Sequence, residues 1–283
     1  MKNLKLIVFI ILNLSFTQTI FSQTTQKDSL HTNRLLIVGG ISTATFIYAY
    51  GIQNNMWWKG EPSHFHSNWK QDWNYALGAD KLGHFYFGSL VSTIYKNSFR
   101  WIGFNQKHSY LYAGLFTLTY QTFLEIRDGF SKQYGFSWGD FAANSLGSMY
   151  SYLQYNYPVL KSFNLKISYY PSQRFENGSN TYIMDDYEST YHWLSVDVNK
   201  LLPNNLRKYF PSFLNIAIGH SVNRLNNLDN ANHEFYIGLD WNLAVVQTKS
   251  KLLNSIIEIL NKYHFPAPTI KIYPNIVWYG LKF

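Results

Sequence analysis

Three short polar clusters fall within residues 80–147. They are Asp80-Lys81-Leu82-Gly83-His84, then Glu125-Ile126-Arg127-Asp128-Gly129, then Gly135-Phe136-Ser137-Trp138-Gly139-Asp140 with Asn144 and Gly147 beyond. Asp80 and His84 stand four residues apart, Glu125 and Asp128 three, Asp140 and Asn144 four. On helices those spacings place each pair on one face. Three such faces turned inward would gather carboxylates, an imidazole and an amide. Charge is costly to bury without partners, so the grouping is either a bonded network or a site.

As a site, it has the parts of a hydrolase acting on a phosphate or ester. Asp80 beside His84 would raise the imidazole pKa and fix its tautomer, as a general base requires. Glu125, Asp128 and Asp140 would act as acids, and Lys81 or Arg127 would grip an anion. The oxygen and nitrogen donors of His84, Glu125, Asp128 and Asp140 would suit a divalent metal. Their spacing matches no recognised metal motif. As a network, Asp80 would be an N-cap and His84 a bonded core residue. Ser137 and Asp140 have the spacing of a capping box. Asn144 would bond across helices, with Gly147 permitting their close approach. Glu125 and Asp128 end an apolar helix, where negative charge opposes the dipole, so Arg127 would neutralise one and Lys81, His84 or a cation would hold the rest. Ser137 lacks the elbow of a nucleophilic serine. His64, His66, His192, His220 and His233 show no ligand spacing.

The elements that would position these residues read as helices over 80–98, 109–127 and 138–155, joined by 99–108 and 128–137. Before them, Leu35–Tyr50 is an apolar stretch of about 16 residues, short of the about 20 that span a bilayer, and reads as a buried or membrane-skimming helix. Residues 56–74, with four tryptophans, read as an irregular aromatic loop. After Tyr157-Pro158 the period changes from helical to alternating. Strands are expected at 163–169, 191–198, 214–222, 235–243 and 270–283, with an apolar helical stripe at 249–264 that Pro266 and Pro268 stop. The fold class is therefore α+β: an N-terminal helical bundle with a buried polar cluster, then an antiparallel β-sheet or partial barrel with one amphipathic helix. The expected division is a signal peptide at 1–22, a flexible linker at 23–33, a helical domain at 34–158 and an antiparallel β domain at 159–283.

Composition points to the cell envelope. Charged residues make up 14% and aromatics 19%, a balance suited to a membrane–water interface, so membrane lipid is an expected partner. Lys2 and Lys5 precede the apolar run Leu6–Phe16, the order of a secretory signal. Removing residues 1–22 deletes two of the 24 Lys+Arg and no acids, taking the net charge from +8 to +6. The remaining charge is scattered, which argues against nucleic acid. With no cysteine, disulfides, thiol catalysis, thiolate zinc sites and a lipoprotein anchor are excluded. Phe283, with Leu281 and Tyr279 on the same strand face, would suit the last strand of an outer-membrane β-protein or a periplasmic sheet that ends in Phe, and five or six strands fall short of the eight of the smallest single-chain barrels.

The order Asp80-Lys81-x-Gly83-His84, Glu125-x-x-Asp128-Gly129, Ser137-x-x-Asp140-x-x-x-Asn144-x-x-Gly147 resembles the YfiM-type family of predicted Gram-negative envelope proteins, over roughly residues 75–155. It is similar, more distantly, to VanZ-like membrane proteins, which share the Asp-Lys-x-x-His start. The longer form with a β half, including Tyr191–Ser195 and Phe265–Pro268, resembles members from Bacteroidetes. Smaller members are predicted lipoproteins, from which this chain departs by lacking the cysteine. The resemblance implies an exported protein in the outer membrane or on its periplasmic face, and carries no established activity. The leading expectation is a structural or accessory subunit of an envelope assembly, with an envelope hydrolase built on His84, Glu125, Asp128 and Asp140 as the alternative.

Overall fold

The structure, a computed structural model, describes residues 28–69, 72–178, 183–226 and 229–283. The leader expected at 1–22 and residues 23–27 of the linker lie outside these residues. Where the linker is described it is tied down. Asp28 accepts from the Asn105 N–H at 2.7 Å and pairs with His108 at 2.9 Å, and the His31 N–H donates to the Ile102 carbonyl.

Four long helices come first: α1 (Thr32–Met56), α2 (Ala79–Ile102), α3 (Gln106–Gly129) and α4 (Trp138–Asn156). The last three begin and end within a few residues of the expected bounds. The first is a correction. At 25 residues it is about 37 Å long at 1.5 Å per residue, enough to cross a bilayer, and it is not buried. Leu36, Ile37, Ile41, Ile47 and Tyr48 are all more than half exposed. The helix runs past Tyr50 because residues 51–56 hold no breaker other than Gly51, and because Gln53 bonds to Tyr120 on α3.

Helices α2, α3 and α4 pack through small residues. A Cβ at Gly147 would lie 2.2 Å from the Phe85 carbonyl oxygen, and one at Gly88 would lie 2.8 Å from the Ser148 backbone nitrogen. The two glycines thus set the closeness of the α2–α4 crossing.

Six strands follow in simple antiparallel order: β1 (Phe163–Tyr169), β2 (Thr190–Val196), β3 (Leu214–Asn223), β4 (Asn232–Trp241), β5 (Ala267–Tyr273) and β6 (Val277–Lys282). The stretch 270–283, read as one strand, is a hairpin of two, turning at Pro274 and Asn275. Helix α5 (Lys251–Leu260) is shorter than the stripe over 249–264, because residues 262–264 leave the helix to pair with β1. The Ile167 N–H donates to the Lys262 carbonyl and the His264 N–H to the Ile167 carbonyl. Those residues lead directly into β5, so the sheet curls and its first strand is tied to the approach to its fifth: a partial barrel.

The sheet is inside out relative to a water-soluble one. One register row carries Leu165, Leu194, Ile218, Ile237, Ile270 and Trp278, all on the outer face. Of these, Ile218 and Ile237 are about half exposed and Trp278 three-quarters. The inner face is closed, an ion-pair network beside a small cluster of Trp193, Ala217 and Tyr236. Lys166 pairs with Asp240 at 2.7 Å, Ser195 donates to Asp240 at 2.6 Å, and His264 bonds Asp240 through Nδ1 at 3.0 Å while stacking on Trp193. Gly219 leaves room for the Trp193 ring, which a Cβ there would meet at 2.5 Å. The helical half meets the sheet at one end where Val222 packs on Ala76 and Ala79 and His192 lies against Gly83, and at the start of β1 where Tyr150 and Gln154 donate to the Phe163 carbonyl.

Candidate functional site

The start of α2 is built by strain. Ala76, Leu77 and Gly78 all take positive φ (45°, 53° and 76°), a left-handed turn that places the helix N-terminus. For the two non-glycine residues such a conformation costs of order 1–3 kcal/mol each and persists only where surroundings enforce it. Here Ala76 is buried beneath Val222, with Leu77 against it. Gly78 is the N-cap and its neighbour is helical, so the reading of Asp80 as N-cap is corrected: Asp80 lies in the first turn with its carboxylate pointing to Lys81.

Lys81 is the hub. Its Nζ lies 2.6 Å from Asp72 Oδ1, 2.9 Å from Asp80 Oδ2 and 2.8 Å from Asp140 Oδ1. Asp72 also accepts from the Ser137 hydroxyl at 2.5 Å and from the Gly139 N–H at 2.9 Å, so it helps to cap α4. Ser137 in turn accepts from the Asp140 N–H at 2.9 Å, as its capping spacing predicts. A side chain at Gly139 would meet Lys81 Cε at 2.8 Å, so glycine lets the lysine reach the cap. Burial works against the ionised form of Asp72, but the bonds from Lys81, Ser137 and Gly139 outweigh it and hold its pKa below the usual carboxylate value. Burial and the nearby Asp140 push Asp80 up to about 6, with Lys81 opposing. Lys81 is itself raised: burial disfavours its charge, and Asp140 and Asp80 more than compensate.

A second chain of bonds crosses the bundle. Asn144 Nδ2 donates to Glu125 Oε1 at 2.9 Å, which turns Asn144 Oδ1 toward His84 Nδ1 at 3.0 Å. The Nδ1–H therefore donates, and Nε2 lies 3.7 Å from Asp140 Oδ1. Burial, then the charges of Asp140 and Asp128, push Glu125 up to about 9, so it is a protonated acid at neutral pH. Asp128 faces elsewhere: it accepts from Trp58 Nε1 at 2.6 Å, and Arg127 stacks over the same indole at 4.7 Å. Burial raises Asp128 to about 6, the Trp58 bond opposing.

The structure thus brings Asp80, Lys81, His84, Glu125, Asp140 and Asn144 into one cluster and sets Asp128 at its edge. Asp80 and His84 do not bond each other, because His84 is taken by Asn144. Of the four residues considered for a metal, His84, Glu125 and Asp140 offer ligand atoms within 4.8 Å of one another, and Asp128 is not among them. The Lys81 ammonium already supplies positive charge at the Asp140 oxygen, and Asn144 occupies His84 Nδ1. A cation held by this trio would meet His84 through Nε2 and would share Asp140 with the Lys81 ammonium. Asp72 and Trp58 were missed because they lie in the aromatic loop, outside any periodic segment. A parallel bridge between Ser67 and Phe136 brings that loop to the start of α4. His84, about 31% exposed, is the open member of the cluster; Asp72, Asp80, Glu125 and Asn144 are sealed.

No curated protein and no solved structure matches this chain. Residues 67–156, from the bridge at Ser67 to the end of α4, match the model of a family described as a predicted periplasmic lipoprotein (DUF2279), and so contain Asp72, all three polar clusters and Gly147.

Proposed function

We propose that this is an exported, membrane-seated envelope protein with a structural or accessory role, placed in the outer membrane by its β half. The observation that carries the reading is the reversal of the sheet: ion pairs within, and Ile, Leu, Phe and Trp without, the alternation of strands that meet lipid. The similarity of residues 67–156 to predicted periplasmic lipoproteins supports export. These 283 residues hold no cysteine for a thioether-linked lipid, and the apolar sheet face with α1 offers another means of attachment. The motif order supports kinship with YfiM-type proteins. In this reading the Lys81 hub and the Glu125–Asn144–His84 chain lock α2, α3 and α4 together as a platform for an envelope partner.

The absence of cysteine makes the test direct. Single Ile218→Cys, Ile237→Cys and Tyr209→Cys variants carry an environment-sensitive fluorophore in reconstituted vesicles. The probes at 218 and 237 are expected to emit blue-shifted and to be quenched by brominated acyl chains. Water-like emission at both would refute the reading.

A hydrolase has one observation in its favour: the partly exposed His84, oriented by Asn144 and Glu125 with Nε2 toward Asp140. Metal analysis of the purified protein beside His84→Ala and Asp140→Ala separates the two. A stoichiometric metal lost in both folded variants would favour the enzyme, and none would favour the platform.

A further inference from the structure

The two ends of the β half carry opposite charge. One end gathers the α4–β1, β2–β3 and β4–α5 connections. They are bound together there: the Asn242 N–H donates to the Phe213 carbonyl at 2.9 Å, and Asn242 Nδ2 donates to Asp197 at 2.9 Å and to the Ser212 carbonyl at 3.0 Å. This end holds Lys161, Lys200, Arg207, Lys208, Lys249 and Lys251, all exposed, against the single acid Asp197, which is buried and paired with Lys200. At the opposite end, residues 170–178, 183–189, 223–226 and 229–232 carry Glu176, Asp185, Glu188, Asp229 and the buried Asp186 against Arg174 and Arg224.

Apolar and aromatic groups are interleaved with the basic end. Tyr209 is 72% and Phe213 52% exposed, and Val245 and Val246 are exposed as well. Helix α5, which starts at this end, is also reversed. Its polar face turns inward, where Glu258 pairs with Lys96 and accepts from Asn97 on α2. Leu252, Leu253, Ile256 and Leu260 share one exposed face. A helix with its apolar face out and lysines at its start lies in the plane of a membrane interface.

We infer that this end of the β half docks into the headgroup layer of an anionic membrane leaflet, with α5 lying in the interface and the six cations meeting lipid phosphates. The inference rests on the membrane reading above and adds the charge of the lipid and the end of the molecule that meets it.

Detergent-purified full-length protein is diluted at physiological salt into phosphatidylcholine vesicles, or into vesicles with about a third phosphatidylglycerol, and partitioning is read by flotation. A Lys208→Gln/Lys249→Gln/Lys251→Gln variant removes three cations that make no hydrogen bond. A Glu176→Gln/Asp229→Asn variant alters the opposite end. The wild type is expected to prefer the anionic vesicles. At roughly a kilocalorie per mole for each cation near such a surface, the triple variant loses about a hundredfold in partitioning into them and little into the neutral ones. The acidic-end variant loses nothing. Equal partitioning of the wild type into both vesicles, or a triple variant indistinguishable from it, overturns the inference and leaves the membrane reading standing. Failure to float with either vesicle overturns both.

Discussion

Replacing Lys81 by methionine tests whether the cluster is a bonded network. The change keeps the length and apolar stem of the side chain and deletes the ammonium. Asp72 would retain its bonds from Ser137 and Gly139. Asp80 would be left with neither oxygen bonded, since Oδ2 bonds only Lys81 and Oδ1 has no hydrogen-bond partner. Asp140, 13% exposed, would lose its ion pair at 2.8 Å. Removing one partner of a buried ion pair costs about 3–5 kcal/mol, because the remaining charge stays desolvated. At roughly 2–4 °C per kcal/mol, the midpoint of thermal unfolding should fall by about 6–20 °C. Near-UV circular dichroism in detergent at pH 7 reads that midpoint. Adding Asp80→Asn to Lys81→Met should recover part of the loss, since it removes an uncompensated carboxylate. A Lys81→Met protein melting within about 2 °C of wild type would refute the network, for the three carboxylates would then be held by something other than the lysine.

Glu125, raised to about 9 by burial and by Asp140 and Asp128, binds a proton in the folded state that the unfolded chain releases near its ordinary value, so it should subtract stability progressively as pH rises from about 5 to 9. Glu125→Gln keeps an oxygen for Asn144, and the difference between wild-type and variant stability, by urea titration at pH 5, 7 and 9, should widen in the variant's favour with pH; a constant difference would contradict the assignment. Gly147→Ala places a methyl 2.2 Å from the Phe85 carbonyl oxygen and should cost about 1–3 kcal/mol, or more if the α2–α4 crossing cannot open, measured by the same titration. Asp240→Asn should cost about 3–5 kcal/mol, because Lys166 is sealed in the barrel beside it, whereas loss of the exposed Lys208 should leave stability within about 0.5 kcal/mol.

What the sequence made legible follows from periodicity. The i, i+4 and i, i+3 pairs declared which residues share a helix face, and the change from a period near four to a period of two at Tyr157 marked where helices give way to strands. The rest depends on chain paths that no local pattern encodes. Asp72 supplies a carboxylate to Lys81 across a loop that follows its own aromatic contacts, so its neighbours in sequence say nothing of its partner. Asp128 shares a helix face with Glu125 by spacing, but at the last turn of α3 its side chain meets Trp58 instead. Alternation revealed strands without revealing which face is inward. Lys166, Ser168, Ser195, Glu234 and Asp240 alternate as cleanly as a solvent-facing set would, and only the closure of β1 by residues 262–264 turns them into an interior.

The same closure sets where the polar cluster stands. Residues 262–264 draw α5 against α2, since Lys262 donates to Ser89 and Glu258 pairs with Lys96. The first turn of α2 packs instead at the other end of the sheet, where Val222 meets Ala76 and Ala79, Tyr75 meets Tyr187, and Trp57 donates to Asp185. That is the acidic end. The Lys81 hub and the open edge of His84 are therefore separated by the length of the barrel from the lysines of the opposite rim. A bilayer that held the basic rim would leave the cluster at the far end of the β half, beside the tryptophans that close α1. A fluorophore at His84→Cys should accordingly respond to a water-soluble quencher such as iodide, while one at Ile218→Cys responds to brominated lipid. Quenching of both by brominated lipid to the same extent would place cluster and sheet face at one depth and break the argument.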